Sequence, residues 1–116
     1  MHPNSLIMLY NYAIVLCLQD IPTEECIKAL DAFLAIAPKD HRYVPACYYR
    51  KAHYFLSKKD IYQFVSTFEE GLAAEKLQLI CYLPYNYPEK YLLEKAFLHY
   101  KPQLQNDKNV AGISEG

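Results

Sequence analysis

The stretch Asp60-Ile61-Tyr62-Gln63-Phe64-Val65-Ser66-Thr67-Phe68-Glu69-Glu70-Gly71-Leu72 decides the fold. Ile61, Phe64, Val65, Phe68 and Leu72 follow one another at the three- and four-residue steps of a single helix face. Asp60 stands where a carboxylate caps the first turn, and Gln63, three residues on, completes a capping-box arrangement. The pattern predicts a helix over 61–76.

Working backwards, Ser57-Lys58-Lys59-Asp60 is a break between two helices. Pro45 suits the first turn of a preceding helix that runs to about 57. The polar loop Lys39-Asp40-His41-Arg42 separates it from a helix that follows the turn Asp20 to Glu25 and runs to about 37, ended by Pro38. That helix buries Cys26, Ile27, Leu30, Phe33, Leu34 and Ala37 as one broad face, and Glu24 and Glu25 occupy the turn where the helix dipole favours acids. That tight turn, Asp20-Ile21-Pro22-Thr23-Glu24-Glu25, with a capping residue and a Pro in the first turn, joins it to a first helix over about 6–18, with Leu6, Leu9, Ala13 and Leu16 at helical spacing and Asn4-Ser5 as its cap. Working forwards, Leu77 to Leu83 reads as an apolar turn or short helix, and Pro84-Tyr85-Asn86-Tyr87-Pro88 as a connector. A last helix is predicted over about 88–100, packed through Leu92, Ala96, Phe97 and Tyr100. The polar stretch 103–116 reads as a frayed tail. The fold class is therefore all-α, with a helical domain over 1–102.

Composition fits that class and narrows the function. The chain has 116 residues, 53% hydrophobic and 22% charged, within the range of one globular domain. Twelve Lys and Arg against thirteen Asp and Glu leave a net charge of −1, which offers no blanket attraction to nucleic acid or an anionic membrane. Three glycines, two of them in the last five residues, cannot build a phosphate cradle. The apolar run Leu6 to Leu18 has no preceding Lys or Arg, contains Asn11 and is too short to span a bilayer. An intracellular protein, cytoplasmic or nuclear, is expected. Cys17, Cys26, Cys47 and Cys81 form no CxxC pair and read as reduced, small core residues. They do not combine with His2, His41, His53 or His99 at metal-ligand spacings, so neither a metal nor another cofactor is expected.

The helices also repeat. Aligning Ala13 with Ala52 places Tyr10 on Tyr49, Asn11 on Arg50 and Leu16 on Phe55. With one extra residue in the first turn, Cys26 falls on Phe64, Leu30 on Phe68, Phe33 on Gly71 and Leu34 on Leu72. Each unit, about 5–38 and about 45–76, is a helix, a short turn and a second helix of roughly 34 residues together.

Period and pattern resemble the tetratricopeptide-repeat family. The small residue that the family places mid-way along its first helix matches Ala13 and Ala52. Its large residue one turn later matches Leu16 and Phe55, its second-helix residue matches Leu30 and Phe68, and its closing proline matches Pro38. Tyr49-Arg50-Lys51-Ala52 and the segment Thr67 to Leu72 look like the last repeat of co-chaperone adaptors. Lys51 stands where Leu is usual, Phe64 where a small residue is usual, and Lys76 where the closing Pro belongs, which suggests that the helix runs on past 76. The resemblance implies two stacked antiparallel helix hairpins closed by the C-terminal helix. It also implies a groove lined by first helices, through Ile7, Tyr10, Asn11, Ile14 and Leu18 on one line and Ala46, Tyr49, Arg50, His53 and Ser57 on the other.

Tyr10, Asn11, Tyr49, Arg50 and His53 are accordingly the candidate partner-binding residues. Arg50 is the one permanent cation on the two lines, and its donors suit a carboxylate of an acidic or C-terminal peptide. On this reading Arg50→Ala weakens binding without touching the fold, His53 adds charge below about pH 6.5, and changes at Lys58 or Lys59 do almost nothing. On the other reading Tyr10 and Tyr49 cover the core and Arg50 is an ordinary solvated residue. Asn11 and Arg50 match two positions of the family's carboxylate clamp, whereas Ala46 replaces a clamp lysine, so a full chaperone clamp is not expected.

No nucleophile and base approach each other in the pattern. His53 and Cys47 lie nearer opposite helix faces, and the pairs Glu24-Glu25 and Glu69-Glu70 point about 100° apart. The expected function is a non-enzymatic adaptor or scaffold module that binds a protein or peptide. The alternatives are a self-associating homodimeric module and a single-stranded RNA binder. The last would use tyrosine stacking, since Tyr supplies 12 aromatics against 5 Phe, but the interspersed acids interrupt any basic track.

Overall fold

The computed structural model describes residues 4–19, 23–80 and 87–115. Five helices carry them: α1 (Asn4–Cys17), α2 (Glu24–Ile36), α3 (Val44–Ser57), α4 (Ile61–Lys76) and α5 (Lys90–Glu115). No strand occurs among the described residues, and the fold is all-α. α1 packs chiefly on α2 and α3 chiefly on α4, while α2 touches α3 and α5 lies against both α3 and α4. The molecule is thus two packed helix pairs with the last helix laid over the second pair.

Each helix start follows from its sequence. The Asp60 carboxylate accepts the Gln63 N–H at 3.2 Å, capping α4. Pro45 lies in the first turn of α3, where its missing N–H costs nothing. Glu24 and Glu25 open α2, although the Thr23 side chain makes no cap bond.

The α3–α4 turn is a Schellman motif. Asp60 N–H donates to Phe55 C=O at 2.9 Å, and Lys59 N–H to Leu56 C=O at 3.0 Å. This geometry places Lys59 at φ 62°, the left-handed region that glycine enters without a Cβ penalty. Position 59 is therefore not indifferent, contrary to the expectation from its place in a polar turn. Lys59→Gly is expected to raise unfolding free energy by about 0.5–1 kcal/mol in urea titration, and Lys59→Val to lower it.

Two core clusters divide the interior. The first joins Tyr10, Ala13, Ala29, Leu30, Phe33, Val44, Cys47 and Ala74. The second joins Ala46, Tyr49, Ala52, Phe64, Val65, Phe68, Tyr87, Leu93 and Phe97. Ala13 and Ala52 are wholly buried, one in each cluster. Phe64 is also wholly buried and tilts against Phe68 at 6.1 Å between ring centres. Lys51 makes an ion pair: its Nζ is 2.7 Å from the Asp31 carboxylate of α2, which ties the two pairs together.

Three expectations change. α4 does not run on past 76; it stops at Lys76. Gln78 then donates its side-chain amide to the carbonyls of Asp40 and His41 at 2.9 and 3.1 Å, which draws the chain off towards the α2–α3 loop. α5 runs to Glu115 rather than about 100, with Pro102 inside it. Lys101 Nζ, 2.7 Å from the Glu69 carboxylate, and Leu104, packed on the second core, hold the turns around that proline against α4. α5 also buries Leu93 where Leu92 was expected, because Leu93, Phe97, Tyr100 and Leu104 form the inward line. The Asp20 to Pro22 turn, Cys81 and the connector through Asn86 lie outside the described residues.

Candidate functional site

Tyr49 explains why the predicted groove is partly filled. It lies on the α3 face towards α4, wholly buried, with its ring 5.0 Å from Phe68. Gly71 makes the room: a Cβ there would lie 2.6 Å from Tyr49 Cε1. The Tyr49 hydroxyl donates to the Glu75 carboxylate. Lys90 reaches the same carboxylate at 3.4 Å and Glu94 at 3.2 Å, and its ammonium stands 5.7 Å over the Tyr49 ring. Tyr49 and the wholly buried Ala46 are thus core, and a partner cannot reach them.

Tyr87 covers this line from outside. It is 4% exposed, stacks beside Tyr49 at 6.4 Å and carries the Arg50 guanidinium 5.0 Å above its ring. His53 Nδ1 lies 3.4 Å from its hydroxyl. One side chain ahead of α5 therefore meets all three α3 residues named from the sequence. The signal was an apolar residue just before a helix start, which commonly packs back onto the core. The tyrosines of the connector were visible, but the surface that Tyr87 covers was not.

Tyr10 is buried in the first pair, its ring stacked on Tyr43 at 4.1 Å and tilted to Phe33 at 5.5 Å. Desolvation pushes its phenol up to about 12, opposed by the nearby Arg50 charge and a hydrogen bond with that guanidinium. Asn11 is exposed on α1 and does not line the same space as Arg50. Asn11 and Arg50 therefore do not meet as a clamp pair.

What remains open is a cleft of about 490 Å³ between the two helix pairs and the start of α5. Arg50 and His53 form its polar floor, Leu18, Leu92 and Leu93 its apolar walls, and Glu89 its acidic rim. Leu18 and Leu92 are 71% and 52% exposed, so a binder can reach both. Burial pushes the His53 imidazole below its ordinary 6.5, helped by Arg50 and opposed by Glu89. Its charge therefore appears at a lower pH than the exposed position on the helix suggested. Cys17 and Cys26 line the same cleft as free thiols. Burial pushes Cys17 up to about 12 and raises Cys26, which holds both protonated and weakly nucleophilic at neutral pH. Among the described residues no three His, Cys, Asp or Glu side chains converge as metal ligands, and no helix is long and apolar enough to cross a membrane.

Arg50 is no longer a residue whose removal spares the fold. Its half-buried guanidinium spans Tyr10 and Tyr87, one from each core, so Arg50→Ala disturbs both. The exposed walls are the cleaner place to probe binding. Comparison with known proteins gives no matching family model, no matching curated protein and no matching solved structure.

Proposed function

We propose that this chain is a non-enzymatic protein-interaction module, an adaptor or scaffold piece built on two tetratricopeptide-like repeats. It receives a short segment of a partner protein in the cleft between the helix pairs. The observation that carries the reading is the cleft itself, where a half-buried cation, Arg50, lies between exposed leucines of different helices. Such a space suits an apolar side chain with a carboxylate close by, and the guanidinium of Arg50 offers charge-assisted donors to the latter. The repeat pattern supports the same reading, since stacked helix pairs commonly present extended concave binding surfaces. A cytoplasmic or nuclear location belongs to the same proposal.

The test is a random peptide library panned against the full chain. Enriched peptides are expected to pair an acidic group with a large apolar residue. Leu18→Gln and Leu92→Glu should each weaken their binding at least tenfold while leaving the helical circular dichroism unchanged. Lys28→Glu, on an exposed part of α2 away from the cleft, should bind as the parent does. Binding insensitive to both leucines overturns the site. A library that yields no binder, beside a single-stranded oligonucleotide that does bind, overturns the function.

A further inference from the structure

α1 departs from the other helices in having apolar residues on both sides. Tyr10 and Ala13 face the core, with Leu6, Leu9, Ile14 and Leu16 packed around them. Yet Ile7, Met8, Tyr12, Val15 and Leu18 are 49–71% exposed on the opposite side. At about 100° per residue these five and Asn11 fall within an arc of roughly 140°. The outer face of α2, by contrast, carries Glu25, Lys28 and Asp31. A helix that is apolar all round is ordinarily buried on both sides. At the other end of the stack α5 covers the second pair; this end has no such cover among the described residues.

We infer that this face is an interface in which α1 packs against α1 of a second copy of the chain. The chemistry of the face selects that occupant. A two-fold contact sets each central residue against its own image, so a charge near the axis repels itself. α1 carries no charged residue from Asn4 to Cys17. The one amide in the middle of the arc, Asn11, is both donor and acceptor and can pair with its own copy. Polar residues at the core positions of paired helices fix register in the same way. Five half-open apolar side chains supply several hundred Å² per copy, less than the roughly 800 Å² per partner of a standard stable interface. The association is accordingly reversible rather than obligate.

Leu18 belongs to both the face and the cleft, but neither Asn11 nor Val15 lines the cleft, so variants at 11 and 15 test this inference apart from the proposed function. Sedimentation of the full chain from low to high micromolar should show a rising dimer fraction. Val15→Glu, at an exposed position, should weaken association at least tenfold with unchanged helicity. Asn11→Cys, treated with oxidised glutathione, should give an intermolecular disulfide at least ten times faster than Lys28→Cys. A monomer at every concentration overturns the inference, and so does association that Val15→Glu leaves intact. Equal cross-linking at positions 11 and 28 overturns it as well. If the face binds lipid vesicles or another protein while the chain itself stays monomeric, a second copy is not its occupant.

Discussion

Phe68→Ala is expected to lower the unfolding free energy by about 3–5 kcal/mol, the range for removing a fully buried aromatic ring. Phe68 has no exposed surface and is the centre of an aromatic chain. Its ring stacks on Phe97 at 4.5 Å, tilts against Tyr49 at 5.0 Å and meets Phe64 at 6.1 Å. These neighbours come from α3, α4 and α5, so no single helix can shift to fill the space. Domains of this size are stable by only about 5–15 kcal/mol, and the thermal midpoint should fall by roughly 15 °C or more. Urea unfolding followed by circular dichroism measures it. A loss below about 1 kcal/mol would mean that α5 does not pack on α4 as described.

Gly71→Ala is expected to destabilise although it replaces a poor helix former with the best one. On an exposed helix face the change gains about 1 kcal/mol. Here the new methyl would stand 2.6 Å from Tyr49 Cε1 and 2.9 Å from Cδ1 and Cζ. The ring cannot swing away, because Phe68 and Tyr87 flank it and its hydroxyl is tied to Glu75. Overpacking of this kind costs about 1–3 kcal/mol net. The sign is the sharper readout. In a Tyr49→Leu background the clash is gone, and adding Gly71→Ala should cost nothing or stabilise. If Gly71→Ala destabilises equally in both backgrounds, contact with Tyr49 is not its cause.

The helices were legible because their signals are local. Asp60 and Gln63 mark the start of α4, and the five apolar positions from Ile61 to Leu72 mark its face; the observed bounds are the 61–76 of that pattern, and only the missing closing proline pointed beyond them. α3 begins at Val44, one residue before the proline that announced it. The register of α5 was less legible, since Leu92 and Leu93 are both apolar and only the partner surface decides which turns inward. Its length was read wrongly for a related reason. Pro102 ends most helices, but here Lys101 and Leu104 find partners on either side of it. The candidate site was half legible. Arg50 and His53 face the cleft, whereas Tyr49 was assigned to a partner when Tyr87 of the same chain covers it. Gly71 held the missing clue, a glycine at the position where the first repeat has Phe33. Tyr10 and Phe33 pack directly in the first pair, so the equivalent space in the second had to be filled by Tyr49 itself.

The placement of α5 carries a consequence for the order in which the protein is made. Synthesis proceeds from the N-terminus, so α1 to α4 emerge from the ribosome before Tyr87 and Phe97 do. During that interval Tyr49 and Phe68 lack their outer neighbours, and a nascent chain displays an aromatic face that the finished protein hides. Translation arrested before residue 87 leaves a chain without the side chains that close its second core. Such a product is a substrate for chaperones and proteases rather than a shorter working version of the protein.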